Sequence, residues 1–191
     1  MTQDAQRSRR SDAARNRERL LTAARRAFAE RGPDVALEEI ASAADVSRTT
    51  LYRNFATREE LAVTVFEDNV GAIEQRSADL GDRADGIVQL FDFVLAMQRD
   101  NRSLARVLSG ANLAWLTGLS NRTMAAFEPH LERGRQAGIV RPGVGIQDVM
   151  LAFPMAAGVM ADDEASQREL MTDRVRAMLH RALFSEQAHV D

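Results

Sequence analysis

A chain of 191 residues, 45% hydrophobic and 28% charged, has the make-up of an ordinary globular protein with room for one or two domains. The absence of cysteine excludes disulfides, thiolate metal sites and a cysteine nucleophile, and no window approaches the roughly 20 apolar residues of a membrane span. The net charge of −3 hides an asymmetry: residues 1–31 carry nine arginines against four acids, and residues 61–191 carry thirteen against eighteen. A basic end on an otherwise acidic chain points either to a polyanion partner for that end or to a solvated arm. All 25 basic residues are arginine, which reads as a genome bias and not as chemistry. The opening MTQDAQRSRRSDAARNRERL lacks the apolar core of a signal peptide, so the expected compartment is the cytoplasm.

Helical periodicity dominates, and the expected class is all-α. Residues 1–15 read as a flexible basic arm. Leu20, Leu21, Ala24, Ala27 and Phe28 then form one apolar stripe over residues 16–31, stopped by Gly32 and Pro33. Ile40, Ala41 and Ala44 mark a short second helix over 37–44, and residues 48–54 a third. Thr57 and Glu60 have capping-box spacing and open a long fourth helix through Leu61, Val65, Val70 and Ile73, ending near Gly81.

Further helices are expected over 87–99, 104–108, 113–119 and 122–136. A Gly/Pro-rich loop follows at 138–145. Residues 146–160 form a helix that is apolar on most sides, and Ser166 with Glu169 opens a last helix through Met171, Val175, Met178, Leu179 and Leu183.

The informative segment is 37–55, LEEIASAADVSRTTLYRNF. Two short helices crossing steeply need apolar residues at the joint and a small one where they approach. Ile40, Ala44, Val46 and Leu51 supply the first requirement and Ala41 the second, while Ser47 can cap the second helix. That helix would present Arg48, Thr49, Thr50, Arg53 and Asn54 to phosphates and base edges. The bland alternative is a helical hairpin whose polar residues are merely solvated.

Residues 16–61 resemble the DNA-binding domain of the TetR family of regulators. The resemblance is carried by Ala27-Phe28-Ala29-Glu30-Arg31-Gly32, Ile40-Ala41, Val46-Ser47, Leu51-Tyr52-Arg53-Asn54-Phe55 and Arg58-Glu59-Glu60-Leu61. It implies that the third helix enters the major groove, with Arg48, Thr49, Thr50 and Tyr52 at contact positions and Tyr52 on a phosphate. It also implies phosphate contacts from Asn54, which stands where the family often has His, and from Arg58. Three positions depart from the pattern. Asp45 replaces the usual turn glycine, Ala36 and Leu37 replace a capping Thr or Ser, and Glu38 stands on the groove side of the second helix. Glu38 could accept from cytosine N4 or point away.

The resemblance further implies that residues 62–191 form a helical domain that binds a small effector and makes a homodimer. The apolar girth of 146–160 supports a dimer formed with 168–184, against a buried helix in a monomer. Phe91, Met97, Leu113, Trp115, Met124 and Phe127 are candidates to line an apolar pocket, and Asn112, Asn121 and His130 are candidate polar contacts; ordinary core or surface is the alternative for each.

The three histidines, 130, 180 and 189, lack metal spacing, and neither a metal nor a cofactor is expected. No nucleotide loop, GxSxG or HExxH is present, so an enzyme is not expected. A repressor released from operator DNA by a mostly apolar small molecule is the leading reading. A helical protein-interaction module, or control by a partner protein, is the alternative.

Overall fold

In a computed structural model of the chain, the structure describes residues 2–32, 34–100, 113–160 and 165–185. Among them are eight α-helices and no strand: α1 Thr2–Arg31, α2 Leu37–Ala43, α3 Arg48–Asn54, α4 Arg58–Leu80, α5 Gly86–Asp100, α6 Leu113–Gln136, α7 Ile146–Met160 and α8 Ala165–Leu183. No helix among the described residues is long and apolar enough to cross a membrane. The chain divides into two compact units, with the boundary inside α4 between Glu67 and Asp68.

In the first unit α1 packs on α2 and α3, and α2 on α3. Leu20, Leu21, Ala24, Ala27 and Phe28 of α1 are buried, as are Ile40, Ala41, Leu51, Phe55, Leu61, Ala62 and Val65. α1 stops at Gly32, whose φ of +86° suits a residue without a β-carbon. Its start differs from expectation. The backbone is helical from Thr2, where a flexible arm over 1–15 was anticipated. No glycine or proline interrupts residues 2–31, and residues 2–15, polar but for Ala5, Ala13 and Ala14, give no apolar stripe by which a helix could be read.

In the second unit α5 packs on α6 and α7, α6 on α7, and α7 on α8. The core gathers Ile73 and Leu80 of α4 with Ile87, Leu90, Phe91 and Val94 of α5, Phe127 and Leu131 of α6, Val149 and Phe153 of α7, and Leu183 and Phe184. Phe91 sits at its centre, its ring 5.3 Å from that of Phe153 and 5.5 Å from that of Phe184.

The loop after α6 turns through Gly138 and Gly143, both at positive φ. It is tied to the end of α8 by an antiparallel bridge between Val140 and Phe184, in which Arg141 N donates to Leu183 O at 3.0 Å and Ser185 N to Ile139 O at 2.8 Å.

Two helices expected over 113–119 and 122–136 are one, α6. Gly118, Ser120 and Asn121 are weak helix formers, but the stripe of Leu119, Ala126, Phe127 and Leu131 buried on the core carries the helix through them. α8 begins at Ala165, one residue ahead of the Ser166 expected to cap it. The helix expected over 104–108, Asn112, His189 and the side chain of Leu113 lie outside the described residues.

Candidate nucleic-acid interface

The turn between α2 and α3 sets the presentation of the third helix. Asp45 adopts φ +51°, a left-handed conformation that costs Asp less than most residues. Its carboxylate accepts from Arg19 of α1 at 2.7 Å, which ties the turn to the first helix. Ser47 caps α3: its Oγ accepts from Thr50 N at 3.1 Å. α2 has no side-chain cap, as expected from Ala36, and Glu38 and Glu39 offset the helix dipole in its first turn instead. Thr57 caps α4 through Glu60 N at 3.1 Å. Glu60 reaches back to Ala56 N at 2.8 Å, one residue further than the capping box requires.

With Leu51 and Phe55 buried, α3 exposes Arg48, Thr49, Tyr52 and Arg53. These four of the seven anticipated contact residues share one outward surface. The other three are half-buried and engaged. The Thr50 hydroxyl lies 2.9 Å from that of Ser47. Asn54 Nδ2 donates to Thr50 O at 2.7 Å, so its amide caps its own helix. Arg58 Nη1 lies 3.7 Å from Asp34 Oδ1, and its Nε is buried without a hydrogen-bond partner.

Sequence reasoning did not foresee the bond that Tyr52 makes. Its hydroxyl donates to Glu38 Oε1 of α2 at 2.7 Å. The bond holds the Glu38 carboxyl below its ordinary pKa, with a smaller contribution from the charge of Arg48, and raises the Tyr52 phenol.

A cleft of about 570 Å³ also opens along α1, lined by Arg15, Arg19, Arg26, Arg31 and small residues such as Ala23 and Ala43. Its arginines are largely neutralised: Arg19 pairs with Asp45, Arg26 with Glu30 and Arg31 with Glu39. The basic excess of the N-terminal end is therefore partly spent within the fold.

Of the candidate pocket residues in the second unit, Phe91 and Phe127 are fully buried, each with its ring against Phe153. Met97, Trp115 and Met124 are half-buried, and Asn121 is exposed. His130 is 1% exposed, against a reading of surface; its Nε2 lies 3.1 Å from Ser77 O and its Nδ1 3.1 Å from Arg133 Nη2. Among the described residues no cluster of His, Asp or Glu could hold a metal.

A capped helix presenting arginine, threonine and tyrosine from a tight turn on a small helical core defines a helix-turn-helix DNA-binding protein. Residues 20–65 match the family model of bacterial regulatory proteins, tetR family. An uncharacterized HTH-type transcriptional regulator of Mycobacterium tuberculosis is 34% identical over a 169-residue alignment that covers 83% of this chain and 82% of that protein. The crystal structure of a TetR transcription regulatory protein from Mycobacterium vanbaalenii is 28% identical, with a TM-score of 0.69 over 92% of this chain and 99% of that one. A TetR transcriptional regulator from Streptomyces coelicolor has the same fold, with a TM-score of 0.71 at 22% identity over 89% of this chain and 99% of that one. The chain belongs to the TetR family: it is a DNA-binding transcriptional regulator and not an enzyme.

Proposed function

We propose that this regulator is a cytoplasmic repressor. It binds a roughly palindromic operator as a two-fold homodimer and leaves it when a small, mostly apolar effector binds the second unit. The observation that carries the operator reading is the outward quartet Arg48, Thr49, Tyr52 and Arg53 on a helix whose opposite side is buried. Arg48 and Thr49 lie in the first turn of α3, the end that a recognition helix directs at base edges. The first domain is taken as residues 16–61, the second as 62–191.

A dimer is supported by apolar side chains left in water on the two last helices. Leu151 and Met155 of α7 are 58% and 57% exposed, and Met178 of α8 is 61% exposed. Covering them with the same face of a second copy gives an isologous interface; two recognition helices would then meet two half-sites about one helical turn apart.

For the effector, the half-buried Met97, Trp115 and Met124 offer polarisable walls that suit an apolar or aromatic molecule. The full packing of Phe91 and Phe127 favours a second reading, in which a partner protein supplies the signal instead.

Gel shifts with genomic fragments near the encoding gene test the operator reading. Arg58→Ala is expected to weaken binding to most sequences alike through a lost phosphate contact. Arg48→Ala is expected to change the preferred bases, at about 1–3 kcal/mol per base contact. If Arg58→Ala instead redirected the preference with affinity intact, the assignment of roles would fail.

A further inference from the structure

A phenol has one proton to donate. That of Tyr52 is given to Glu38, across the crossing of α2 and α3, at 2.7 Å. A DNA phosphate is, like a carboxylate, an acceptor only. A phosphate that engages Tyr52 must therefore take the proton from Glu38, and it leaves a carboxylate without its donor beside a polyanion. Arg48 lies close enough for its charge to act on Glu38, but it too is a group that DNA draws on. On a duplex of arbitrary sequence the exchange replaces one anionic acceptor by another and adds like-charge repulsion. It becomes favourable where the displaced carboxylate meets a donor. In the major groove the donors on base edges are the amino groups of cytosine N4 and adenine N6.

We propose that Glu38 is a specificity-determining residue: it makes the Tyr52 backbone contact conditional on an amino-bearing base edge beside α2, and so suppresses binding to unrelated DNA. The inference rests on the operator reading above, in which α3 occupies the major groove. Glu38 acts here through Tyr52, and the same carboxylate would act on DNA of any sequence as a plain negative charge if the hydrogen bond had no part. The two cases separate in a double-mutant cycle.

The experiment measures Kd for the selected operator and for a scrambled duplex of equal length, at several salt concentrations. The proteins are the wild type, Glu38→Ala, Glu38→Gln, Tyr52→Phe and the two Glu38 variants in the Tyr52→Phe background. Glu38→Gln keeps an acceptor for the phenol and removes only the charge, so it serves if the alanine variant folds poorly. Both Glu38 variants are expected to bind scrambled DNA more tightly. Their operator-over-scrambled preference is expected to fall about tenfold, the low end of what one base contact discriminates. In the Tyr52→Phe background Glu38 can still accept from a base edge, so the same substitutions are expected to lower the preference there too, but with little gain on scrambled DNA, because no phenol is freed for a phosphate. An equal gain on both duplexes, in both backgrounds, would overturn the inference and leave Glu38 a bystander charge. A wild type that discriminates no sequence would remove the operator reading, and this inference with it.

Discussion

Asp92 of α5 holds two groups from α8 at once. Its carboxylate accepts two bonds from Arg176, each 2.8 Å, and one from His180 Nε2 at 2.7 Å. His180 is buried at 6% exposure, whereas the Arg176 side chain is 53% exposed. The two partners therefore differ in worth. A hydrogen bond to a charged group contributes about 1.5–3 kcal/mol when shielded. The Arg176 part is discounted toward the 0–1 kcal/mol, roughly, of an exposed ion pair. Asp92→Asn is expected to cost about 2–3 kcal/mol, most of it from the buried side. Urea unfolding followed by the fluorescence of Trp115, the only tryptophan and a residue of the same unit, measures this without interference from the first unit. The pH dependence adds a second reading. Burial pushes the Asp92 carboxyl up, but the bonds and charges of His180 and Arg176 outweigh it and leave it below its ordinary value. A folded pKa below the unfolded one gives stability that is full above the unfolded value of about 3.9 and is lost as pH falls through the folded value. The difference between wild type and Asp92→Asn should thus shrink below about pH 4. A cost under about 0.5 kcal/mol at pH 7, or a difference unchanged into acid, would refute the reasoning.

Gly134→Ala would place a β-carbon 2.8 Å from Ile87 Cγ2 and 2.9 Å from Val140 Cγ2, inside the core. An overpacking cost of about 1–3 kcal/mol exceeds the gain of about 1 kcal/mol in helix propensity, so the melting temperature should fall; a rise would contradict the packing. Burial holds the His130 imidazole below its ordinary pKa, with the nearby charge of Arg133 lowering it further against a partly compensating bond at Ser77. Its neutral form is the one that folds, so stability should be full above about pH 6.5 and decline as pH falls below it, and His130→Gln should flatten that decline in urea midpoints. Met155→Arg should yield a monomer by light scattering at micromolar concentration; a persisting dimer would move the interface off α7.

The helix-turn-helix was legible because its signals are local. Ser47, Thr57 and the joint residues Ile40, Ala41 and Leu51 lie within one short stretch, and the structure gives α3 the bounds 48–54 that they imply. Where pattern failed, the reason was physical. The first half of α1, polar but for three alanines, carries no stripe, and burial of Leu119 and Phe127 overrides the weak formers in α6. Pairings between elements were not legible at all. Tyr52 and Glu38 are 14 residues apart, and His180 and Asp92 are 88 apart, so their meeting depends on how helices cross and not on spacing. Asn54 is a local case: its polar residue type conceals a bond from Nδ2 to the carbonyl of Thr50, one turn back in the same helix.

The bridge between Val140 and Phe184 bears on how the protein is made. Arg141 Nε and Phe184 O, 3.0 Å apart in space, are separated by 43 residues of chain. α5, α6 and α7 can form their local hydrogen bonds as they leave the ribosome, but the seat against Phe91 stays unfilled until Phe184 emerges. Closing a loop of that length has an entropic cost before any contact offsets it. Until then the Phe91 ring lacks one of the two phenylalanine rings that pack against it in the folded chain. A translational pause before residue 184 would lengthen this interval, whereas a pause within the first unit would not.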